Sequence, residues 1–281
     1  MPLFNREVFS NSMQNFSINL ILIIIGAAIG LYILLCLILF LVQEKLIFKP
    51  EKIPADQKFE FDQDFEELFV SAADRKRING LLFKTDNSKG LIFYMHGNVG
   101  SLNSWGTAPT NYIRLNYDVF IYDYRSFGKS EGSISSEKQL FTDNQLMYDE
   151  IKKRYAEDKI ILLGHSLGSG MAAKLAADNH PKKLILLTPY YSMTKMMKNL
   201  YPYLPVFILK YKLSTHKYLK NCKMPIVIFH GDADQLINCS ASKQLSKDFK
   251  PGDQLFILKG QDHYRVNENE DYRAELKKIL E

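Results

Sequence analysis

The chain has 281 residues, of which 46% are hydrophobic and 24% are charged, with 15 glycines and 10 prolines. This composition excludes a disordered, collagen-like or coiled-coil protein and allows one domain or two small ones. The net charge of +5 is too small to indicate nucleic-acid binding. Cys36, Cys222 and Cys239 are too few and too widely spaced for a disulfide scaffold or a C-x-x-C metal site.

One segment near the N-terminus is apolar throughout. Residues 18–42 carry no charged side chain, and Asn19 is their only amide. A helix of this length extends for about 37 Å, enough to cross a hydrocarbon core of about 30 Å. A cleaved signal peptide would have a shorter apolar region ending in small residues, whereas this one is followed by Glu44 and Lys45. We therefore predict a tail over 1–17 and a single-pass transmembrane helix over 18–42.

The charges on either side of this helix give a weak indication of its orientation. Arg6 precedes the helix, and four lysines follow it between residues 45 and 58. Because positive charge collects on the cytoplasmic side, we predict that the C-terminal part lies in the cytoplasm. Gly26 and Gly30 form a G-x-x-x-G pair, but small residues are common in membrane helices, so the pair leaves the oligomeric state open.

Residues 43–281 alternate short apolar runs with amphipathic stretches, after a linker containing Pro50 and Pro54. This pattern predicts an α/β domain with a mostly parallel sheet of about eight strands and helices on both faces. The strands are predicted over 67–71, 78–84, 91–96, 119–124, 160–165, 184–188, 226–230 and 255–258. The helices are predicted over 101–115, 137–155, 167–179, 241–249 and 268–280.

Gly164-His165-Ser166-Leu167-Gly168 matches G-x-S-x-G between an apolar strand and an alanine-rich helix. A sharp strand-to-helix turn exposes the serine hydroxyl, and glycines two positions away on either side let the neighbouring backbone pass without a clash. An ordinary polar turn is the alternative, but the flanking strand and helix favour a nucleophile. Ser166 is therefore the predicted nucleophile.

A serine hydroxyl needs a histidine to take its proton and a carboxylate to orient that histidine. His263 comes just after the last strand, at the sheet edge that carries Ser166. Two aspartates follow the preceding strand: Asp234 can reach across to the histidine loop, and Asp232 more plausibly fixes the turn. Asp262 is a third carboxylate, but it directly precedes the histidine that it would orient. A metal site is the competing interpretation, which no paired-ligand spacing supports, so neither metal nor cofactor is expected.

The negative charge that develops on an attacked carbonyl needs two N–H donors. Leu167, at the start of the helix, supplies one. We assign the other to Asn98, in the glycine-containing loop 96–100 that follows a strand. A phosphate-binding turn is the alternative for this loop, but the lysine and glycine spacing of a P-loop is absent.

Together these segments resemble the α/β-hydrolase superfamily over residues 43–281. The matching segments are His96–Asn98, Tyr122–Ser130, Gly164–Gly168 and His230–Asp234. They are most similar to the N-terminally anchored serine hydrolases related to monoacylglycerol lipases, serine aminopeptidases and protein depalmitoylases. The resemblance implies a triad of Ser166, Asp234 and His263, with an oxyanion hole formed by Asn98 and Leu167.

The chain departs from the pattern of these hydrolases at three positions. Val99 replaces a usual alanine, Ser126 a usual glycine and Asp262 a usual glycine. None of these departures removes a catalytic group. Val99 is expected to contact the acyl chain and narrow its site.

In hydrolases of this fold a lid sets substrate choice, here residues 190–224. This segment is strongly apolar, begins with Tyr190 and Tyr191 as expected substrate contacts, and carries seven lysines and no acidic residue. Such a surface suits anionic lipid, although an ordinary cap packed on the core fits equally well. The sequence thus predicts a membrane-anchored serine hydrolase acting on lipid-like esters or thioesters. A serine aminopeptidase-type peptidase and a non-enzymatic membrane interaction protein are the alternatives.

Overall fold

The computed structural model describes residues 4–281, with the side chains of residue 13 and of residues 15–281. Its first element is a single helix, α1, over Phe4–Ile47. Asn15–Ile47 within it is long and apolar enough to cross a membrane, and its most apolar stretch is not buried against the rest of the chain. The helix therefore extends beyond the predicted span of 18–42 at both ends, and the predicted tail is helical from residue 4. Residues 1–3 and the side chain of Arg6 lie outside the described part.

The chain after α1 forms a sheet of eight strands and a separate pair of two-residue strands. The strands in chain order are β1 Lys49–Pro50, β2 Phe65–Ser71, β3 Arg77–Phe83, β4 Leu91–Met95, β5 Val99–Gly100, β6 Asp118–Tyr122, β7 Ile160–His165, β8 Lys183–Leu187, β9 Ile226–Gly231 and β10 Gln254–Leu258. The sheet order is β10-β9-β8-β7-β4-β6-β3-β2, with β2–β3 and β3–β6 antiparallel and the other neighbours parallel.

The remaining helices connect the strands. They are α2 Leu102–Trp105, α3 Thr110–Ile113, α4 Glu137–Lys152, α5 Leu167–Asp178, α6 Met193–Leu200, α7 Thr215–Leu219, α8 Ser240–Leu245 and α9 Glu270–Leu280. Short 3₁₀ turns cover Glu157–Lys159, Val206–Ile208, Ser246–Asp248 and Val266–Glu268. Strands β4, β6 and β7 are buried at every position because packed layers cover both faces of the sheet. The core accordingly has two clusters of apolar side chains.

Three local predictions need correction. The helix predicted over 101–115 is two short helices, because the chain turns at Gly106 and Pro109 then opens α3 without an N–H to donate. The predicted linker is not free, since its first residues form β1 against β5. The lid contains two helices, α6 and α7, that the sequence analysis did not assign.

Candidate active site

The turn between β7 and α5 holds Ser166 in a strained conformation, with φ 51° and ψ −115°. Ser166 N–H donates to the Leu187 carbonyl of β8 at 3.0 Å, which fixes the turn against the sheet. A Cβ on Gly168 would lie 2.1 Å from the Met95 carbonyl oxygen, and one on Gly164 would lie 2.6 Å from the Gly168 oxygen. Only glycine fits at these two positions, so the G-x-S-x-G spacing follows from backbone packing.

Ser166, His263 and Asp234 lie in hydrogen-bonding contact. Ser166 Oγ is 2.9 Å from His263 Nε2, and His263 Nδ1 is 2.7 Å from Asp234 Oδ2. All three residues are buried. With Nδ1 protonated, the ring donates to the carboxylate and presents an unprotonated Nε2 to the serine hydroxyl. This geometry allows the serine to give up its proton as it attacks.

Asp234 is held by more than the histidine. Its Oδ1 accepts from the Leu236 and Ile237 N–H groups at 2.9 and 2.8 Å. Its Oδ2 also lies 3.3 Å from Nε2 of the fully buried His230. Burial raises the pKa of a carboxyl group, but the hydrogen bonds from His230, His263 and Ile237 outweigh it and hold the pKa of Asp234 well below its usual range. The carboxylate is therefore ionised at neutral pH.

The other two aspartates make different contacts. Asp232 Oδ1 accepts from the Gly260 N–H at 2.6 Å and so joins the two loops after β9 and β10. Asp262 Oδ1 accepts from the Tyr264 N–H at 2.8 Å and from Gln261 Nε2 at 3.1 Å. Neither carboxylate is bonded to His263. The structure thus brings to the histidine the aspartate that the sequence analysis favoured.

His165 is a second histidine close to the site. Its ring centroid is 6.2 Å from that of His263, and its Nδ1 is 3.3 Å from the Tyr94 hydroxyl. Burial, followed by the charge of His263, lowers the pKa of His165 to about 3. His165 is therefore neutral at physiological pH and adds no positive charge beside the proton acceptor.

The predicted oxyanion donors lie on two segments in direct contact. Leu167 is the first residue of α5, where helix N–H groups carry partial positive charge. Asn98 follows Gly97, on which a Cβ would be 3.8 Å from Cβ of Ser166. Within the described residues, neither the Leu167 N–H nor the Asn98 N–H has a hydrogen-bond acceptor. Two free donors near the serine are what a developing oxyanion needs.

The three expected substrate contacts differ in their placement. Val99 is 54% exposed and lies in the oxyanion loop, directly after Asn98. Tyr190 is 1% exposed, and its hydroxyl donates to the Leu167 carbonyl at 3.1 Å, so it supports α5 from within the core. Tyr191 is half-buried and stacks on His216 with ring centroids 4.2 Å apart. The structure therefore gives Tyr190 a packing position, which corrects its assignment as a substrate contact.

Two exposed apolar residues beside the site were not singled out from the sequence. Leu236 is 51% exposed and Tyr264 is 64% exposed. Leu236 comes two residues after Asp234, and the Tyr264 ring meets the His263 ring edge-on at 5.5 Å. The sequence carries no distinct signal for them, because single exposed apolar residues are common on protein surfaces.

Among the described residues, no group of three or more His, Cys, Asp or Glu side chains has an arrangement that could hold a metal ion.

Comparison with known proteins places this geometry in context. The family model described as "Serine aminopeptidase, S33" matches residues 86–219, a segment that contains Asn98 and Ser166 and ends before Asp234. The chain is 27% identical over 199 residues to protein bem46 of Schizosaccharomyces pombe, covering 66% of each chain. It is 28% identical over 180 residues to lysophosphatidylserine lipase ABHD12 of Danio rerio, covering 57% of this chain and 47% of that one.

The matches therefore span about half to two thirds of the length of these relatives. Among solved structures, an esterase of Pyrococcus furiosus superposes with a TM-score of 0.67 at 16% identity. That superposition covers 83% of this chain and 96% of the esterase. The likeness confirms the fold expected from the sequence.

Proposed function

We propose that this chain, which belongs to the α/β-hydrolase superfamily, is a membrane-anchored serine hydrolase that cleaves carboxylic esters or thioesters of lipid-like acyl substrates. The observation that carries this proposal is the continuous hydrogen-bonded line from Ser166 Oγ through His263 to Asp234, at 2.9 and 2.7 Å. Such a line turns a weakly nucleophilic hydroxyl into one that can attack a carbonyl.

The mechanism follows from the position of each group. Ser166 Oγ attacks the acyl carbonyl while its proton moves to His263 Nε2, and Asp234 stabilises the imidazolium that forms. The N–H groups of Asn98 and Leu167 receive the oxyanion. His263 then gives its proton to the leaving alcohol or thiol, which leaves an acyl group on Ser166. A water molecule, deprotonated by the same histidine, releases the acid and restores the serine.

The substrate class rests on the exposed surface of the lid. Four large apolar side chains of the lid are exposed, namely Leu200, Tyr201, Tyr203 and Phe207. They belong to the segment that also contacts α1, the helix apolar enough to cross a membrane. A surface of this kind favours a substrate with a long acyl chain that is itself held in lipid. One relative, a lysophosphatidylserine lipase, has a name that indicates a substrate of the same class.

The anchor and its orientation are part of the proposal. The length and composition of α1 support a single membrane crossing. The distribution of lysines favours a cytoplasmic hydrolase domain.

A peptidase of the serine aminopeptidase type is the second candidate, because the matching family model has that description. Such an enzyme needs a carboxylate to hold the ammonium group of its substrate. The lid contains no acidic residue, and near the site Asp262 is engaged by Tyr264 and Gln261. The local chemistry therefore favours ester or thioester cleavage.

Activity-based labelling of the full-length protein in detergent tests this proposal. A fluorophosphonate should label wild type and the exposed-serine control Ser133→Ala, and should not label Ser166→Ala. Turnover of acyl esters and thioesters of graded chain length should fall by about 10⁶ in Ser166→Ala. Unchanged hydrolysis in Ser166→Ala would contradict the proposed mechanism. Cleavage of peptides without ester cleavage would favour the aminopeptidase, and a wild type without labelling or activity would favour a non-enzymatic protein.

A further inference from the structure

The last turn of α1 lies against the loop that carries Asn98. Asn98 Nδ2 donates to the carbonyl of Ile47, the last residue of α1, at 2.8 Å. Lys49 N–H donates to the Asn98 carbonyl at 2.8 Å, and Glu51 N–H donates to the Gly100 carbonyl at 2.8 Å. The side chain of Asn98 is therefore held by the last residue of α1, and its carbonyl is held by a residue just after the helix.

The same residues are fixed to the body of the domain. Glu51 Oε2 accepts from Ser101 Oγ at 2.8 Å, and the Glu51 carbonyl accepts from the Gly128 N–H at 2.8 Å. Phe48 is 3% exposed and packs edge-on against Tyr211 with ring centroids 5.1 Å apart. We call residues 43–51 the juxtamembrane segment. This segment packs against the domain and is not a free linker between the domain and the helix.

The start of the juxtamembrane segment binds the lid. Gln43 is 7% exposed; its Nε2 donates to the Ile208 carbonyl at 3.0 Å, and its Oε1 accepts from the Lys210 N–H at 2.8 Å. Glu44 Oε1 is 3.0 Å from Lys210 Nζ and accepts from the Tyr211 hydroxyl at 3.1 Å. Gln43 thus pairs with both a main-chain acceptor and a main-chain donor of the lid, in the manner of a neighbouring strand.

A segment that only connected the membrane helix to the domain would need none of these hydrogen bonds. A buried amide lowers stability unless it is hydrogen-bonded, and the lid supplies two of the bonds that the buried Gln43 amide needs. The juxtamembrane segment contacts the two parts of the site that a substrate would meet, the oxyanion loop on one side and the lid on the other. It does so within nine residues of chain.

We propose that the juxtamembrane segment is a positioning element of the active site: it sets the oxyanion loop through Asn98 and the lid through Gln43. The inference rests on the proposed hydrolase function. An oxyanion donor acts only when it is in place before the reaction, and a displacement of about 1 Å at a reacting centre can cost about 100-fold in rate. The membrane helix is then a part of the enzyme whose position affects turnover.

Two variants of the full-length protein separate the two contacts. Asn98→Ala keeps the main-chain N–H but removes the bond to Ile47, and Asn87→Ala, at an exposed asparagine, is its control. Gln43→Leu keeps most of the side-chain volume but removes both lid bonds, and Gln254→Leu, at an exposed glutamine, is its control. Each is assayed in detergent with a soluble short-chain ester and with a long-chain ester.

Turnover is expressed per site that reacts to completion with fluorophosphonate, so that misfolded protein does not count. We expect Asn98→Ala to lower kcat about 10-fold to 100-fold on both esters with KM changed less than about 2-fold. We expect Gln43→Leu to raise KM for the long-chain ester at least about 5-fold more than for the short-chain ester. The controls should match wild type.

The outcomes distinguish the inference from the function on which it rests. A wild type without labelling or ester turnover contradicts the proposed function itself. An active wild type with both variants within about 2-fold of it in kcat and KM overturns the positioning role. If Asn98→Ala yields no labelled protein, Gln43→Leu alone decides. A rise in its ratio of KM for the long-chain ester to KM for the short-chain ester, relative to wild type, supports the inference, and an unchanged ratio overturns it.

Discussion

The hydroxyl of Tyr32 donates a hydrogen bond of 2.7 Å to the main-chain carbonyl of Tyr203. Tyr32 is 11 residues, or about 16 Å, before Gln43 along α1. The lid therefore contacts the apolar helix at two levels, at Gln43 and at Tyr32. In hydrocarbon an unpaired carbonyl is costly, so this bond satisfies one of the polar groups of a lid segment that lies beside an apolar helix. The exposed side chains of Tyr203 and Phe207, 89% and 81% accessible, would then meet lipid.

Replacing both side chains, Tyr203→Ser with Phe207→Ser, tests this placement. We expect a KM about 10-fold or more higher for a long-chain ester presented in vesicles, since two large apolar groups would no longer be buried in lipid. Hydrolysis of a soluble short-chain ester should stay within about 2-fold of wild type. Phe69→Ser, at an exposed aromatic residue on the far edge strand, serves as the control. Equal effects on both esters would show that the two residues act on the domain rather than on lipid.

The three aspartates near His263 give a second prediction. Asp234→Asn removes the carboxylate that bonds His263 Nδ1, and a triad with the wrong histidine tautomer loses about 10⁴ in kcat. Asp232→Asn and Asp262→Asn should each stay within about 10-fold of wild type, because their carboxylates bond main-chain N–H groups and not the histidine. Steady-state kinetics on one short-chain ester compares all three. A larger loss in Asp232→Asn than in Asp234→Asn would reverse the assignment.

The eight strands of the main sheet could be predicted to within about two residues, because most of them are parallel strands covered on both faces and so form continuous apolar runs. The two-residue strands β1 and β5 were not predicted. Ser166, Asp234 and His263 could be placed on one edge of the sheet for the related reason that their loops follow β7, β9 and β10. Chain order and the direction of the strands were sufficient for this.

The contacts of the juxtamembrane segment could not be predicted in the same way. Gln43 and Ile208 are 165 residues apart, and no local pattern at either residue reports the pairing. In the sequence, Gln43 marks only the polar end of an apolar helix. Lys210 is one of seven lysines in the lid, and nothing in the sequence indicates that it is paired with Glu44. The direction in which a side chain points could not be predicted either. Tyr190, for example, was expected to contact substrate, but its side chain lies in the core.

Tyr190 gives a third prediction, because its hydroxyl bonds the first carbonyl of α5 from inside the core. Tyr190→Phe should lower the free energy of unfolding by about 1 kcal/mol through the lost buried hydrogen bond. It should leave the order of preference among acyl chain lengths unchanged. Tyr191→Phe is the matched control, since the Tyr191 hydroxyl makes no hydrogen bond among the described residues. A changed chain-length preference in Tyr190→Phe would restore this residue as a substrate contact.

The depressed pKa of His165 gives the last prediction, on the stability of the protein in acid. Burial, then His263, lowers the pKa of His165 to about 3 in the folded chain, against about 6.5 for an unfolded chain. Between these values the unfolded chain binds a proton that the folded chain does not. The neutral His165 ring therefore makes its full contribution to the free energy of unfolding above about pH 6.5. As the pH falls towards 3 the free energy of unfolding falls by up to about 1.4 kcal/mol per pH unit.

His165→Asn removes this ionisable group, so the stability of the variant should decline less steeply than that of wild type between pH 6.5 and 4.5. Denaturant unfolding of the full-length protein in detergent at pH 7.5, 6.5, 5.5 and 4.5 measures the two slopes. The exposed His180 provides the control, because His180→Asn should leave the wild-type slope unchanged. Parallel slopes for His165→Asn and wild type would mean that His165 is protonated in the folded protein over this range. A positive charge would then lie next to His263 in acid, and His165 would not be the neutral neighbour that its depressed pKa indicates below pH 6.5.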